Sequence, residues 1–164
     1  MNNMYRIGLG YDVHRLESER DLILGGVNIP YEKGLQGHSD ADVLTHALMD
    51  ALLGAMALGD LGTFFPDNRK EFQGISSLEL LTQVVFMMKD RNYQLVNLDS
   101  VIIAQKPRLR GYVNLMKEAL SQSMEVDPGV IGIKATTNEG LDATGAGEAI
   151  AAHAVVLLVR CPDS

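Results

Sequence analysis

Cysteine is almost missing from this chain of 164 residues: Cys161, near the tail, is the only one. That excludes an intrachain disulfide and a zinc site built from several thiolates. Long apolar runs are missing too. Although 46% of the residues are hydrophobic, no stretch reaches the ~18 uninterrupted apolar residues of a membrane-spanning helix. Met1 to Arg6 carry neither the apolar core of a secretory leader nor basic, serine-rich transit character, so a cytoplasmic location is the expectation. Basic residues are scarce, 14 Lys and Arg against 21 Asp and Glu, for a net charge of −7. Binding a duplex needs a basic face that displaces counterions, so the balance argues against nucleic acid as a partner. A small phosphorylated substrate stays open, because metals, helix N-termini and a few cationic side chains concentrate positive charge locally. With no internal repeat or low-complexity linker, residues 1–164 are expected to form one domain.

What is present is a spaced set of metal ligands: Asp12-Val13-His14, then His46 within Ser39-Asp40-Ala41-Asp42-Val43-Leu44-Thr45-His46. Tyr5 to Asp12 alternates in polarity like a strand, which would turn Asp12 and His14 to one face. Ser39 with Asp42 three residues on reads as a capping box, placing His46 on a helix. On that helix Leu44, Leu48, Ala51, Leu52 and Ala55 make an apolar face, with Asp42, His46 and Asp50 on the other, so a carboxylate such as Asp50 is expected to orient the His46 ring. Three protein ligands leave a zinc ion one open position, the arrangement of catalytic and substrate-binding sites.

Gly25-Gly26 inside Leu22 to Pro30 predicts a hairpin. The first helix is expected to end near Leu58-Gly59, with glycine past its end. A second, capped by Ser76 with Glu79, should stop before Asn92. Strands are expected at Leu95 to Ala104, Val130 to Ala135 and Ile150 to Val159, with a third helix at Gly111 to Ser123 and a glycine-rich loop before the last strand. The order β-β-α-α-β-α-β-β predicts an α/β (α+β) two-layer sandwich, a mixed sheet covered on one side by helices. The hydroxyls of Lys134-Ala135-Thr136-Thr137-Asn138-Glu139 suit phosphate oxygens with Lys134 as a point charge, and Glu139 suits a hard cation.

Taken together, Gly10 to His14, Leu24 to Pro30, Gly37 to Val43, His46-Ala47, Asp50 to Ala55, Leu58 to Gly62, Phe65-Pro66-Asp67 and Lys134 to Thr137 resemble the 2-C-methyl-D-erythritol 2,4-cyclodiphosphate synthase family, in order and from about Tyr5 to Val159. The resemblance implies a homotrimer with active sites at subunit interfaces. It further implies a reaction of the non-mevalonate isoprenoid route, in which the 2-phosphate of 4-diphosphocytidyl-2-C-methyl-D-erythritol 2-phosphate attacks the β-phosphorus and releases CMP.

Residue roles follow from the same resemblance. Asp12, His14 and His46 would hold zinc, and Glu139 magnesium or manganese. His38 and Thr137 would be the catalytic donors to the reacting phosphates, and Ser39 would anchor the 2-phosphate. Asp12, Val13 and His14 would also meet substrate, as would Asp60, Leu61 and Gly62 at the erythritol hydroxyls. Phe65, Pro66, Asp67, Asn68 and Arg69 would form the pocket loop beside them. Ala104, Gln105, Lys106, Pro107, Arg108, Leu109 and Arg110 match the cytidine-binding segment, and Thr136, Thr137, Asn138 and Glu139 the diphosphate-binding one. The chain departs from the family after the threonine pair, where Ala143 and Ala146 stand at an aromatic and an arginine position toward the pocket rim and central channel. Two other readings stay open on the sequence: a trimeric metal- and nucleotide-binding module without turnover, and a zinc-dependent phosphohydrolase.

Overall fold

The computed structural model describes residues 4–66 and 68–162. Its elements are β1 (Tyr5–Ser18), β2 (Leu22–Leu24), β3 (Val27–Ile29), β4 (Lys33–Leu35), α1 (Val43–Ala55), α2 (Leu61–Phe64), α3 (Ser77–Asp90), β5 (Tyr93–Ile103), α4 (Val113–Met124), β6 (Ile131–Thr136), α5 (Asp142–Gly145) and β7 (Ala149–Arg160). The predicted order holds. Three short elements, β4, α2 and α5, lie where the sequence reads only as loop.

Five strands make one mixed sheet in the order β4-β1-β7-β5-β6, and β2-β3 is a separate hairpin. The long β1 and β7 pair antiparallel from Tyr5–Val159 to Arg15–Ala149, and β5 joins the far side of β7, antiparallel. β6 runs parallel to β5, which requires the long connection that α4 supplies. The helices pack on one face. On that face Gly8 and Gly10 of β1 lie directly beneath α1: a β-carbon on Gly10 would fall 1.8 Å from the Ala47 carbonyl oxygen, and one on Gly8 1.9 Å from that of Ala51. With alanines at 47, 51 and 55 opposite two glycines, strand and helix approach backbone to backbone.

α1 differs from its expected form in three ways. It is buried almost all round, against the sheet on one side and α3 and the hairpin on others, and so lacks the polar face that its spacing suggests. Its N-cap is Asp42, not Ser39. The Asp42 carboxylate accepts from Thr45 N at 3.0 Å and Thr45 Oγ1 at 2.7 Å, and reaches across to Gly25 N at 2.9 Å and Gly26 N at 2.7 Å, so one side chain starts the helix and holds the hairpin turn. The helix also stops a turn early. Ala57, at φ 59°, takes the left-handed position, and Ala57 N and Leu58 N bond back to the Gly54 and Leu53 carbonyls, closing the end before Gly59 is reached.

α3 begins as expected, with Ser76 Oγ accepting from Leu78 N, and ends at Asp90 before Asn92. The expected glycine-rich loop before β7 contains α5, because Asp142 Oδ1 accepts from Thr144 N and Oγ1, both at 2.7 Å, and closes a turn. The opposite face of the sheet carries exposed apolar side chains: Ile7 is 73% exposed, Leu9 67%, Tyr11 51% and Val13 45%, with Val155 beside them.

Candidate metal centre and nucleotide cleft

Asp12 and His14 sit two apart on β1 and share a face, as the alternation requires, with Asp12 Oδ2 2.8 Å from His14 Nε2. The close seat of α1 on Gly10 brings His46 to the same point: its Nδ1 is 3.0 Å from Asp12 Oδ2 and 3.2 Å from His14 Nε2. These are the atoms of the one three-donor cluster found among the described residues.

The inner nitrogens of the cluster can both offer lone pairs. His14 Nδ1 donates to the Gln36 carbonyl at 2.5 Å, which uses the one N–H of a neutral imidazole and leaves Nε2 a lone pair. On the outer side of His46, Nε2 meets Ser77 Oγ at 2.9 Å and Ser39 Oγ at 3.1 Å. With Nε2 as the donor, His46 Nδ1 is also a lone pair. Two imidazole lone pairs and a carboxylate oxygen then face one another, an arrangement that a divalent cation satisfies. Tetrahedral placement of three ligands at ~2.0–2.1 Å from zinc separates them by about 3.4 Å, and the donors stand close to that spacing. When the imidazoles instead carry protons toward Asp12, burial would raise its carboxyl, but the hydrogen bonds and positive charge of His14 and His46 outweigh it and hold the group well below the usual range, so Asp12 is an anion in either state.

The carboxylates expected to orient His46 do other work. Asp50 Oδ1 accepts from Leu61 N at 2.7 Å and so docks the start of α2 onto α1, while burial raises its carboxyl; Asp42 holds the hairpin. The ring is instead held by two serines. Ser77 was missed because Ser76-Ser77 reads only as a helix start; one serine suffices as the cap, and the second is the overlooked signal.

Beside the cluster opens a cavity of about 570 Å³ lined by Arg20, Gln36, Gly37, His38, Ser39, Gln73 and Gly74. His38 and Ser39 thus share one opening, and Arg20, which donates to the Gly37 carbonyl at 3.2 Å, is a lining cation that the sequence did not single out. Asp60 caps α2 and accepts from Thr63 N at 2.9 Å and Oγ1 at 2.7 Å, bonds that lower its carboxyl, with Leu61 and Gly62 in the turn that follows. Phe65 is buried with its ring 5.5 Å from that of Phe72, so it supports the loop from the core side. Pro66 is partly buried, Asn68 and Arg69 are exposed with Arg69 paired to Glu71, and Asp67 lies outside the described residues.

A second cavity, about 240 Å³, is lined by Ala104, Gln105, Pro107, Arg108, Leu109 and Arg110 together with Ala135, Thr136 and Thr137. Ala104 N donates to the Thr136 carbonyl at 3.0 Å, joining the two segments; Lys106 is not among the lining residues. Thr137 Oγ1 donates to Glu139 at 3.0 Å, and Asn138 Nδ2 to Asp142 at 2.6 Å. Lys134, expected as a phosphate-binding charge, is ion-paired to Asp99 on the neighbouring strand. The register aligns Val13, Ala151, Ile103 and Thr136 in one row. The metal cluster and the second cavity therefore occupy the same end of the sheet, and the strands that lead into them, β1 and β6, stand three inter-strand spacings or about 14 Å apart.

Fold and site define a two-layer α+β protein with a three-donor cluster able to hold a metal ion and a cleft built from strand ends. Residues 5–159 match the YgbB family, and the chain belongs to that family. It is 56% identical to the 2-C-methyl-D-erythritol 2,4-cyclodiphosphate synthase of Synechocystis sp. over 94% of this chain and 96% of that one. Among solved structures it is similar to the bifunctional IspDF of Campylobacter jejuni (TM-score 0.92, 38% identity), matching 96% of this chain but only 42% of that longer one. It is also similar to the Plasmodium falciparum IspF CDP complex (TM-score 0.86, 32% identity), over 98% of this chain and 99% of that one.

Proposed function

We propose that this chain converts 4-diphosphocytidyl-2-C-methyl-D-erythritol 2-phosphate to 2-C-methyl-D-erythritol 2,4-cyclodiphosphate and CMP in the non-mevalonate isoprenoid route. The observation that carries the reading is the convergence of the Asp12, His14 and His46 donor atoms beside the cavity lined by His38 and Ser39. The substrate supplies its own nucleophile: a 2-phosphate oxygen bonds to the β-phosphorus as the bond from that phosphorus to the bridging oxygen breaks, and CMP leaves with that oxygen. The protein's work is therefore to fold the ligand into line and to spread charge over phosphoryl oxygens.

Zinc on Asp12, His14 and His46, with magnesium or manganese at Glu139, supplies Lewis-acid charge and a template when bound. The chain's own groups do the rest. Ser39 and His38 line the wall where the 2-phosphate is held, and Asp60 offers a carboxylate to erythritol hydroxyls. Arg108 and Arg110 flank the nucleotide cavity, where the backbone of Ala104 to Leu109 reads the base. The Thr137 hydroxyl rests on Glu139 and turns to a phosphate oxygen as charge develops there.

The assembly is a homotrimer whose sites form where subunits meet. Two features support this: one face of β1 and β7 exposes Ile7, Leu9, Tyr11, Val13 and Val155 together, and β1 and β6, the strands that lead into the metal cluster and the nucleotide cavity, stand about 14 Å apart within one chain. The enzyme is cytoplasmic. No helix among the described residues is long and apolar enough to cross a membrane.

Phosphorus NMR of the protein with this substrate, zinc and magnesium, with and without chelator, tests the function. Metal-dependent CMP and a cyclic diphosphate are expected, which would also show that Ala143 and Ala146 are tolerated. CMP with a linear product would make the chain a hydrolase, and unchanged substrate a binding module.

A further inference from the structure

Behind the metal cluster lies a second layer of contacts. Asp40 grips Ser77 with both carboxylate oxygens: Oδ1 accepts from Ser77 Oγ, and Oδ2 accepts from Ser77 N at 2.9 Å. Ser77 is fully buried and is the first residue of α3. The loop around Asp40 is tied to the same place, with Asp40 N bonded to the Ile75 carbonyl at 3.1 Å and Gly74 N to that of His38 at 2.7 Å.

One proton order along this chain of groups leaves His46 ready to bind a cation. A serine hydroxyl has a single proton, and a carboxylate only accepts. With the Ser77 proton committed to Asp40, the Ser77 oxygen accepts from His46 Nε2, so Nε2 carries the ring proton and Nδ1 offers its lone pair to a cation held between it, Asp12 and His14. The same state leaves Ser39 as a further acceptor of that N–H and frees its own hydroxyl hydrogen for the cavity it lines.

We propose that Asp40 and Ser77 are positioning residues that fix the His46 tautomer and so set the affinity of the Asp12–His14–His46 site for a divalent cation. This rests on the metal-site reading above and not on turnover. Outer partners of metal-bound histidines are worth roughly ten- to a hundredfold in affinity.

The test uses the full-length protein with zinc alone. Long-range proton–nitrogen NMR of the zinc-loaded wild type should find the His46 proton on Nε2 and the metal on Nδ1; the reverse overturns the proposal without any variant. Zinc competition against a chelating dye should then show Ser77→Ala weaker by roughly ten- to a hundredfold, and Asp40→Ala similarly. Ser76→Ala removes the α3 cap without touching His46 and should bind zinc as the wild type does. Wild-type affinity in Ser77→Ala, or an equal loss in Ser76→Ala, would overturn the relay. A wild type that binds no zinc would sink the metal-site reading itself, a separate result.

Discussion

Replacing Gly10 by alanine puts the reasoning about this site at greatest risk. The added β-carbon would lie 1.8 Å from the Ala47 carbonyl oxygen and 2.8 Å from Ala51 N, whereas ordinary contact begins near 3.4 Å. The neighbours are backbone, so no side chain can swing aside, and α1 must retreat by about 1.6 Å, the difference between 3.4 and 1.8 Å. His46 precedes Ala47 on that helix and Asp12 follows Gly10 by two residues, so the retreat separates ligand donors that a metal requires within about 0.2 Å of their places. Overpacking of this kind costs about 1–3 kcal/mol. At 2–4 °C per kcal/mol for a domain of this size, the melting temperature should fall by roughly 2–12 °C. Scanning calorimetry and bound-zinc analysis read both effects. We expect a lower Tm, less than one zinc per chain, and no rescue by Ala47→Gly, because the obstacle is a carbonyl. A Gly10→Ala protein with wild-type Tm and full zinc would refute the seam as the device that builds the site.

Asp42→Ala should destabilise the fold by about 3 kcal/mol or more, since Gly25 N, Gly26 N and both Thr45 donors lose their acceptor; denaturant unfolding measures it, and a change below about 1 kcal/mol would show that the hairpin does not hang on this cap. Thr137→Ala should lower kcat about a hundredfold with KM little changed if the hydroxyl, engaged by Glu139 in the resting state, has the proposed transition-state role; steady-state kinetics showing only a raised KM would contradict this. Asp142 is held at about 2, below its ordinary 3.8, chiefly by the Thr144 hydroxyl and the Asn138 amide. Because the folded value is the lower one, its ordering of residues 138–145 is complete above about pH 4 and fades as pH falls toward 2. An NMR titration of these residues should have its midpoint near 2, and one near 3.8 would remove the proposed anchor.

Much of the site was legible because its ligands are local in sequence or periodic. The D-x-H pair on an alternating segment needs only the two-residue repeat of a strand to point both donors one way, and the capped apolar run puts His46 on a helix, although only the packing of that helix brings it to the pair. Composition likewise sufficed to exclude an intrachain disulfide. Motif order along the chain identified the family, because co-linear strings carry information that no single string holds. The sequence placed helices, strands and hairpin nearly where they stand, since apolar periodicity and caps act within a few residues.

Tertiary structure decided what depends on residues far apart. Asp42 and Asp50 share a helical repeat with His46, yet one was drawn to the Gly25-Gly26 turn and the other to Leu61, partners that periodicity cannot see. The His46 ring found Ser77, 31 positions away, and Ser77 found Asp40. Two glycines that read as ordinary strand residues proved to set the distance between β1 and α1. The physical reason is the same in each case: hydrogen bonds and close packing are satisfied by whatever the folded chain brings within reach, and that is a property of the whole fold.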